Sequence, residues 1–409
     1  MRHDRLATLL FVLISLLAGP LALAQDALQR TTWAHETGDI APDPAALWGR
    51  LDNGMRYVIL PNDTPKGRVS LRLLVDAGSF MEREDQRGLA HFLEHMAFKG
   101  SENMRAGDLV QYLERLGMAF GADTNARTGF DSTVYQLELP SNDPELIRKS
   151  LFVLREKAGR LLIPAAELER ERGVILSEKR LRDTAQFRAM DANLRFLFPD
   201  SLIASRMPIG SEEVIASAPR ERFTDFYDTW YRPSRMTLVI VGAVDPATFE
   251  RAVQEQFADF QARTPERADP PIGEVRPRRL DTKLHYEAEG RTIVTLETAQ
   301  PAQSGPDTYA RRYEDIQLYL AHAALSRRLA TLAVAPDAPF VGGYAQSDDF
   351  LGFARVANVT INTEPARWKD GLRVGEQELR RALQHGFTAE ELDEQVRTLT
   401  RHFEEAARA

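Results

Sequence analysis

Residues 88–100 read GLAHFLEHMAFKG, and this stretch decides how the rest of the chain is interpreted. Its spacing predicts an amphipathic helix over 88–98, because residues three and four positions apart share one face of a helix. The apolar side chains on one arc of this helix, which we expect to pack, are Leu89, Phe92, Leu93 and Met96. The opposite arc carries His91, Glu94 and His95, so one face packs while the other forms a polar site.

The polar residues of this helix have the spacing of a metal-binding motif. Two imidazoles four positions apart lie one turn above each other and can hold a single zinc ion from one side. The glutamate between them, Glu94, can reach a water molecule at the metal without being a ligand itself. The pattern H-x-x-E-H is the inverted zinc-protease motif. The alternative interpretation of the same five residues is a solvated polar helix face.

A zinc site for hydrolysis also needs a third protein ligand and an open fourth position. A second predicted helix, 164–197, offers four glutamates: Glu167, Glu169, Glu171 and Glu178. Glu171 and Glu178 are seven positions apart, so they stack on one face two turns distant. Their alternative role is a charged helix surface, which is usual for a mixed run such as residues 167–172. The spacing leaves both Glu171 and Glu178 open as the third ligand.

Composition narrows the class of protein. The chain has 409 residues, which predicts two or three domains. Its formal charge of -8 argues against a nucleic-acid partner, which would favour a basic surface. The sequence contains no cysteine, so a metal would have to be bound by the eight histidines and by carboxylates. It also contains no serine nucleophile elbow, phosphate loop or dinucleotide fingerprint.

The first 24 residues predict an export signal. Arg2 and Arg5 precede an apolar run over 6–17, and Ala22-Leu23-Ala24 has the small residues of a cleavage site. The run is shorter than the roughly 18 apolar residues of a spanning helix, which disfavours the alternative of an uncleaved anchor. We therefore expect a signal peptide over 1–24, and no membrane association once it is removed.

Strands and helices are predicted on both sides of the motif. Ahead of it, Asn53-Gly54 predicts a hairpin turn, and alternating apolar residues over 69–75 predict a half-buried strand. The elements expected after it are helices over 106–116, 144–158 with Asp143 as cap, 164–197, 220–231 and 246–261, and strands over 123–139 and 236–241. These elements make up one predicted domain, 42–263.

A polar stretch with four prolines, 264–279, is the predicted linker. Beyond it the order of elements recurs in outline, without a repeat at the level of residues. The elements expected there are strands over 292–297, 340–347 and 353–362, and helices over 308–332, 365–384 and from 388 onward. Thr388 and Glu391 form a predicted capping box. We expect a second domain, 280–409, that is similar to the first but incomplete.

Two stretches carry a resemblance to a known family. GLAHFLEHMAFKG, together with ERGVILSE over 171–178, resembles the pitrilysin and insulinase family of zinc metallopeptidases, which includes the mitochondrial processing peptidases. The stretch GADTNARTGFDSTVYQLELP over 121–140, and Trp230-Tyr231 ahead of Arg232-Pro233, are most similar to the bacterial periplasmic PqqL-like members. The strong motifs end near residue 241, and only the pattern of elements is similar after the linker.

The resemblance implies an α+β fold of the processing-peptidase type, with two successive domains that each pack helices on a mostly antiparallel sheet. It implies one Zn²⁺ per chain, with His91 and His95 as ligands and Glu94 as the general base. The local motif aligns Glu178 with the third ligand and leaves Glu171 to orient a ligand histidine. Family members separate the second histidine from the ligand glutamate by about 75 residues, a count that would select Glu171 instead. We prefer Glu178 on the motif.

The resemblance also implies an edge strand on which substrate peptides lie as an added strand. Residues 121–135 match it, with Asn125 and Ala126 at the positions that pair with the substrate backbone. Main-chain pairing supplies affinity with little sequence preference. This sequence departs from the family at Arg127, where an aromatic residue is usual, and at Gly129, where serine is usual. The alternative interpretation is an ordinary core strand.

The expected function is that of a zinc-dependent endopeptidase, which cuts peptides or unfolded polypeptide segments in the periplasm. The family works as two halves that close around the peptide. The chain is therefore expected to need either a further C-terminal half or a second subunit, in a homodimer or a heterodimer. The alternative is a non-catalytic half that binds zinc or peptide and depends on such a partner.

Overall fold

The computed structural model describes residues 32–408, except 109–111, 113, 114, 116, 117, 119, 120, 122 and 123. The predicted signal peptide 1–24 and most of the predicted helix 106–116 lie outside the described residues. The chain forms two compact units. Unit 1 contains Ala41–Arg180 and Arg206–Pro271, and unit 2 contains Leu181–Ser205 and the chain from Ile272 onward. The domain limits 42–263 and 280–409 remain predictions.

Unit 1 is built on a six-stranded sheet. Its strands are β1 (Leu47–Arg50), β2 (Arg56–Pro61), β3 (Val69–Val75), β4 (Thr124–Thr128), β5 (Thr133–Leu139) and β6 (Met236–Gly242). They follow the order β1-β2-β6-β3-β5-β4, which places β4 at one edge of the sheet. β2 and β6 pair in parallel and all other neighbours are antiparallel. The mostly antiparallel sheet agrees with the expected fold class.

The core of unit 1 lies on one face of this sheet. Along β3, Leu71 and Leu73 are fully buried, whereas Ser70 and Arg72 on the other face are half-exposed. This alternation follows from the period of two in a strand, which sends successive side chains to opposite faces. Each of these apolar side chains stabilises the fold by about 1.5 to 3 kcal/mol relative to an exposed one. The buried face therefore positions the helices that carry the site.

Unit 1 contains the helices α1 (Leu89–Met96), α2 (Pro144–Gly159), α3 (Ala165–Arg182, whose last two residues belong to unit 2), α5 (Glu212–Ser217), α6 (Arg220–Trp230) and α7 (Pro246–Phe257). Of these, α1, α2 and α7 contact strands of the sheet. Asp143 caps α2 as expected, because its side chain accepts hydrogen bonds from the backbone N–H groups of Glu145 and Leu146.

Two predicted elements are each divided in the structure. The single strand expected over 123–139 is the hairpin β4–β5, in which the backbone N–H of Gly129 donates to the carbonyl of Ser132 at 2.8 Å. The single helix expected over 164–197 is α3 followed by α4 (Ala185–Leu197). It breaks ahead of Thr184, whose hydroxyl caps α4 by accepting from Phe187. In both cases the apolar pattern continues on either side of a turn. The few polar residues of the turn indicate a break more weakly than the apolar pattern indicates a continuous element.

Unit 2 contains a three-stranded sheet among its described residues. Its strands are β7 (Thr292–Pro301), β8 (Gly342–Phe350) and β9 (Ala354–Thr363), in the antiparallel order β7-β9-β8. Its further helices are α8 (Tyr309–Ala333), α9 (Trp368–His385) and α10 (Ala389–Ala406). The capping box of Thr388 and Glu391 is present at the start of α10.

The two sheets share a topological pattern. In unit 1 the chain order β3, β4, β5 becomes the spatial order β3-β5-β4, and in unit 2 the chain order β7, β8, β9 becomes β7-β9-β8. In each case the long helix-containing connection follows the first strand of the three. The similarity of the two domains, which the sequence showed only as a pattern, is therefore a similarity of strand pairing. None of the helices in the described part of the chain has the length and apolar character that a membrane crossing requires.

Candidate metal centre

The site is built on α1, and a buried carboxylate holds the start of this helix. Glu82 accepts hydrogen bonds from the backbone N–H groups of Gly88 at 2.9 Å and Ala90 at 2.8 Å. These are among the donors that a helix leaves unpaired in its first turn. Burial raises the pKa of Glu82 to about 8. The sequence did not reveal this cap, because Glu82 lies six positions ahead of Gly88 rather than at the usual cap position.

A close approach of two glycines fixes the same end of α1. Gly88 has a φ of +102°, a conformation that favours glycine. A Cβ atom added to Gly210 would lie 2.2 Å from the Cα atom of Gly88, so no side chain fits between the two segments. The start of α1 is therefore held by backbone packing as well as by Glu82.

The two histidines of α1 face each other across one turn. The ring centroids of His91 and His95 are 4.9 Å apart, and the ring planes meet at 80°. His91 is buried, whereas His95 is partly exposed. The structure thus places both imidazoles on one side of the helix, as the spacing in the sequence predicts.

Glu178, on α3, lies opposite both imidazoles. One of its carboxylate oxygens is 3.6 Å from Nε2 of His91, and the other is 3.3 Å from Nε2 of His95. One ligand atom from each of the three residues lies within 4.8 Å of the others. Within the described residues this is the only group of three or more histidine and acidic side chains that meets this criterion.

Glu171 is buried on α3, and it contacts Nδ1 of His95, the ring nitrogen that does not face Glu178. Its Oε1 atom is 3.0 Å from Nδ1 of His95, and its Oε2 atom is 2.8 Å from Nζ of Lys99. The hydrogen bond with His95, followed by that with Lys99, lowers the pKa of Glu171 despite its burial. A carboxylate on Nδ1 leaves Nε2 of the same ring for a metal. The two glutamates that the spacing left open therefore occupy different positions.

Glu94 is buried on α1 and contacts the edge strand. Its Oε2 atom accepts a hydrogen bond from the hydroxyl of Thr128 at 2.6 Å, which joins α1 to the last residue of β4. No pattern in the sequence indicates Thr128, because this contact arises only when the hairpin is placed beside the helix. A threonine in a strand-rich segment carries no functional signal of its own.

A buried lysine lies at the other end of α1. Nζ of Lys157, on α2, donates to the carbonyl of Ala97 at 3.0 Å and lies 3.2 Å from the ring centroid of Phe98. The ring of Tyr135 is 5.2 Å away on another side. Burial lowers the pKa of Lys157 well below its ordinary value. This buried amino group donates to a carbonyl at the carboxyl end of the helix, where the last carbonyl groups lack partners within the helix. No pattern in the sequence indicates this residue.

The candidate substrate strand lies at the edge of the sheet. β4 pairs with β5 and ends the described strand order. The side chains of Asn125 and Arg127 are exposed, and Ala126 between them is half-exposed. The side-chain oxygen of Asn125 accepts from the backbone N–H of Ala126 at 2.8 Å. Of the predicted site residues, Glu94 contacts this strand, while His91 and His95 lie beside α3.

The donor set fits zinc. Two imidazole nitrogens and one carboxylate oxygen converge, which is a ligand combination found in catalytic zinc sites. Glu171 stands behind His95, in the position of a group that orients a ligand ring. A general base candidate, Glu94, is on the same helix as both histidines. The arrangement is suited to the hydrolysis of an amide by an activated water molecule.

Comparison with known proteins supports this interpretation at the level of family. The model of the insulinase family (peptidase family M16) matches residues 57–194, and the model of the M16 peptidase inactive domain matches residues 217–399. A PQQL-like zinc protease of Arabidopsis thaliana is 32% identical over 79% of this chain and 34% of its own length. The probable zinc protease PqqL of Escherichia coli is 28% identical over 86% of this chain and 38% of its own length.

Solved structures extend the comparison to the fold. The first half of the periplasmic protease PqqL from Escherichia coli is similar with a TM-score of 0.79 and 27% identity, over 90% of this chain and 78% of that one. Pitrilysin, at 20% identity and a TM-score of 0.66 over 88% of this chain and 38% of that one, shares the fold alone. The chain spans about a third of the length of the curated relatives described above.

Proposed function

The chain belongs to the insulinase family of peptidases, peptidase family M16, and from this premise we propose that it hydrolyses peptide bonds at a zinc ion held by His91, His95 and Glu178. The observation that carries this proposal is the convergence of the three ligand atoms within 4.8 Å of one another. The family motif points to the same three residues, and their convergence supports the proposal independently, because it depends on how α1 and α3 pack in this chain.

Each further residue of the site has a part in the proposed reaction. A zinc ion held by His91, His95 and Glu178 would supply Lewis acidity to the scissile carbonyl and to the attacking water. Glu94 takes the proton of that water and returns it to the leaving amine. Glu171 holds Nδ1 of His95, which keeps the ring in the orientation that presents Nε2 to the metal. The buried position of Glu94 restricts the orientations of its carboxylate.

The proposed substrates are peptides or unfolded polypeptide segments, bound along β4. An extended segment can add to the edge of this sheet through main-chain hydrogen bonds, with Asn125 and Ala126 as the pairing positions. The proposed compartment is the periplasm. It is supported by the export-signal pattern over 1–24 and by the name of a structural relative, a periplasmic protease.

A second candidate function is a half-enzyme that binds zinc or peptide but needs a partner for turnover. The observation that favours it is that the family model matching residues 217–399 describes an inactive domain. The missing contribution would come from a C-terminal half or from a second subunit in a homodimer or heterodimer.

The test is metal analysis coupled to peptide hydrolysis. Purified protein is loaded with zinc, analysed for metal content and incubated with a mixture of unstructured peptides, with and without a chelator. We expect about one zinc per chain and cleavage that the chelator abolishes. Glu94→Gln is the matched variant, which should keep zinc and lose cleavage. Protein without stoichiometric zinc would refute the metal site. Zinc and peptide binding without cleavage would favour the half-enzyme, and light scattering would then show whether the chain dimerises.

A further inference from the structure

The hydrogen bond between Thr128 and Glu94 joins two parts of the proposed site. Thr128 is the last residue of β4, the strand proposed to bind the peptide, and Glu94 is the proposed general base on α1. The hydroxyl donates to Oε2 of Glu94 at 2.6 Å, and the carboxylate is buried. A hydrogen bond to an ionised carboxylate is about twice as strong as a neutral one, and shorter.

The end of β4 is itself rigidly mounted. In the turn that follows Thr128, the carbonyl of Gly129 accepts from the backbone N–H of Ser79 at 3.1 Å, and the carbonyl of Phe130 accepts from the backbone N–H of Phe80 at 2.7 Å. A Cβ atom added to Gly78 would lie 2.5 Å from the carbonyl oxygen of Gly129, so these backbones are in close contact. The turn therefore cannot shift independently of residues 78–80.

The segment that holds this turn also leads into α1. Residues 78–80 are followed by Glu82, which caps the start of the helix through Gly88 and Ala90. The strand and the helix are thus connected twice, through residues 78–82 at the start of α1 and through Thr128 at Glu94. Two separate connections restrict both sliding and rotation of the carboxylate relative to the strand.

We propose that Thr128 is a positioning residue that sets the orientation of Glu94 relative to a peptide bound on β4. This inference rests on the proposed function. Because Thr128 and Ala126 are two positions apart, they lie on the same side of the strand. β4, which has five residues, therefore carries both the position proposed to pair with the peptide backbone, Ala126, and the residue that contacts Glu94, Thr128. A general base contributes rate only when it lies within hydrogen-bond reach of the proton that it takes.

The chain offers a matched set of variants for the test. Thr128→Val keeps the shape of the side chain and removes the donor, whereas Thr128→Ser keeps the hydroxyl and removes a methyl group. Ser150→Ala is the control, because Ser150 is buried on α2, away from β4, and its hydroxyl has no hydrogen-bond partner among the described residues.

The first measurement is zinc content, kcat and KM on an unstructured fluorogenic peptide. We expect kcat of Thr128→Val to fall about tenfold or more, because a misplaced base loses part of its usual contribution of about 10² to 10⁴. KM and zinc content should stay near the wild-type values. Thr128→Ser and Ser150→Ala should keep a kcat within about threefold of the wild type. An unchanged kcat in Thr128→Val, or an equal loss in Thr128→Ser, would overturn the assignment.

The second measurement does not depend on turnover. The visible absorption of the cobalt(II)-loaded protein reports the geometry and hydrogen bonding around the metal. We expect the spectrum of Thr128→Val to differ from the wild type, while the spectra of Thr128→Ser and Ser150→Ala coincide with it. Coincidence of all four spectra would overturn the proposal. A wild-type chain that binds metal without cutting peptide would refute turnover by the lone chain, and the cobalt spectra would still decide the role of Thr128.

Discussion

Replacing each of the two candidate ligand glutamates by glutamine distinguishes their roles. Glu178 faces Nε2 of both His91 and His95, at 3.6 and 3.3 Å, whereas Glu171 contacts only Nδ1 of His95. A residue that ligates the metal and a residue that only orients a ligand histidine contribute very different free energies to metal binding. Glu178→Gln and Glu171→Gln should therefore weaken zinc binding by different amounts.

The magnitudes follow from these positions. A structural zinc site binds with about 10 to 16 kcal/mol, so one of three protein ligands accounts for roughly 3 to 5 kcal/mol. At 1.4 kcal/mol for each factor of ten, Glu178→Gln should weaken zinc binding by roughly 10² to 10⁴. Loss of a group that orients a ligand lowers metal affinity by about 10- to 100-fold, and we expect a loss of zinc affinity in this range for Glu171→Gln. The glutamine at 171 can still accept from His95, which places the effect near the lower limit.

The assay is a competition titration in which a chromophoric chelator of known affinity removes zinc from each variant. Glu169→Gln is the control on the same helix, because Glu169 is exposed and pairs with Arg172. It should bind zinc as the wild type does. If Glu171→Gln loses zinc as completely as Glu178→Gln, or more completely, the assignment of Glu178 as the third ligand is wrong. The count of about 75 residues would then be the correct guide.

Three further predictions concern metal content and stability. His91→Ala should lose bound zinc in elemental analysis, and an unchanged metal content would contradict its role as a ligand. The pKa of Glu82 is raised to about 8, so the stability it contributes is present below pH 4.5 and is lost as the pH rises through 8. The difference between wild type and Glu82→Gln in urea unfolding should change over this range, and a constant difference would contradict it. Gly210→Ala should lower the free energy of unfolding by about 1 to 3 kcal/mol, because its Cβ would overlap Gly88. Gly173→Ala, on a helix with no atom within 4 Å of the added Cβ, should raise it by up to about 1 kcal/mol, and equal effects of the two substitutions would refute the packing argument.

The pattern of the sequence was most informative where a signal is local. The amphipathic spacing over 88–98 predicted α1 and placed His91 and His95 on one face, and the structure has both features. The sequence also predicted the cap at Asp143, because a helix cap accepts hydrogen bonds from N–H groups only two or three positions ahead in the chain. Turns with weak signals were misread, and both the hairpin at Gly129 and the helix break at Thr184 appeared in the sequence as continuous elements.

The absence of cysteine was sufficient for the class of metal ligand. Local spacing was sufficient for the motif on α1 and for the two carboxylates on α3 that can complete it, because each pair depends on the period of its own helix. The motif favoured Glu178, and only packing shows the different contacts of the two glutamates. Glu178 meets Nε2 and Glu171 meets Nδ1 of His95 when α3 lies against α1. Packing also revealed Glu82, Lys157 and Thr128. Lys157 and Thr128 meet α1 from distant positions in the chain, and Glu82 meets it from outside the usual cap position. Contacts of these kinds leave no periodic trace in a sequence.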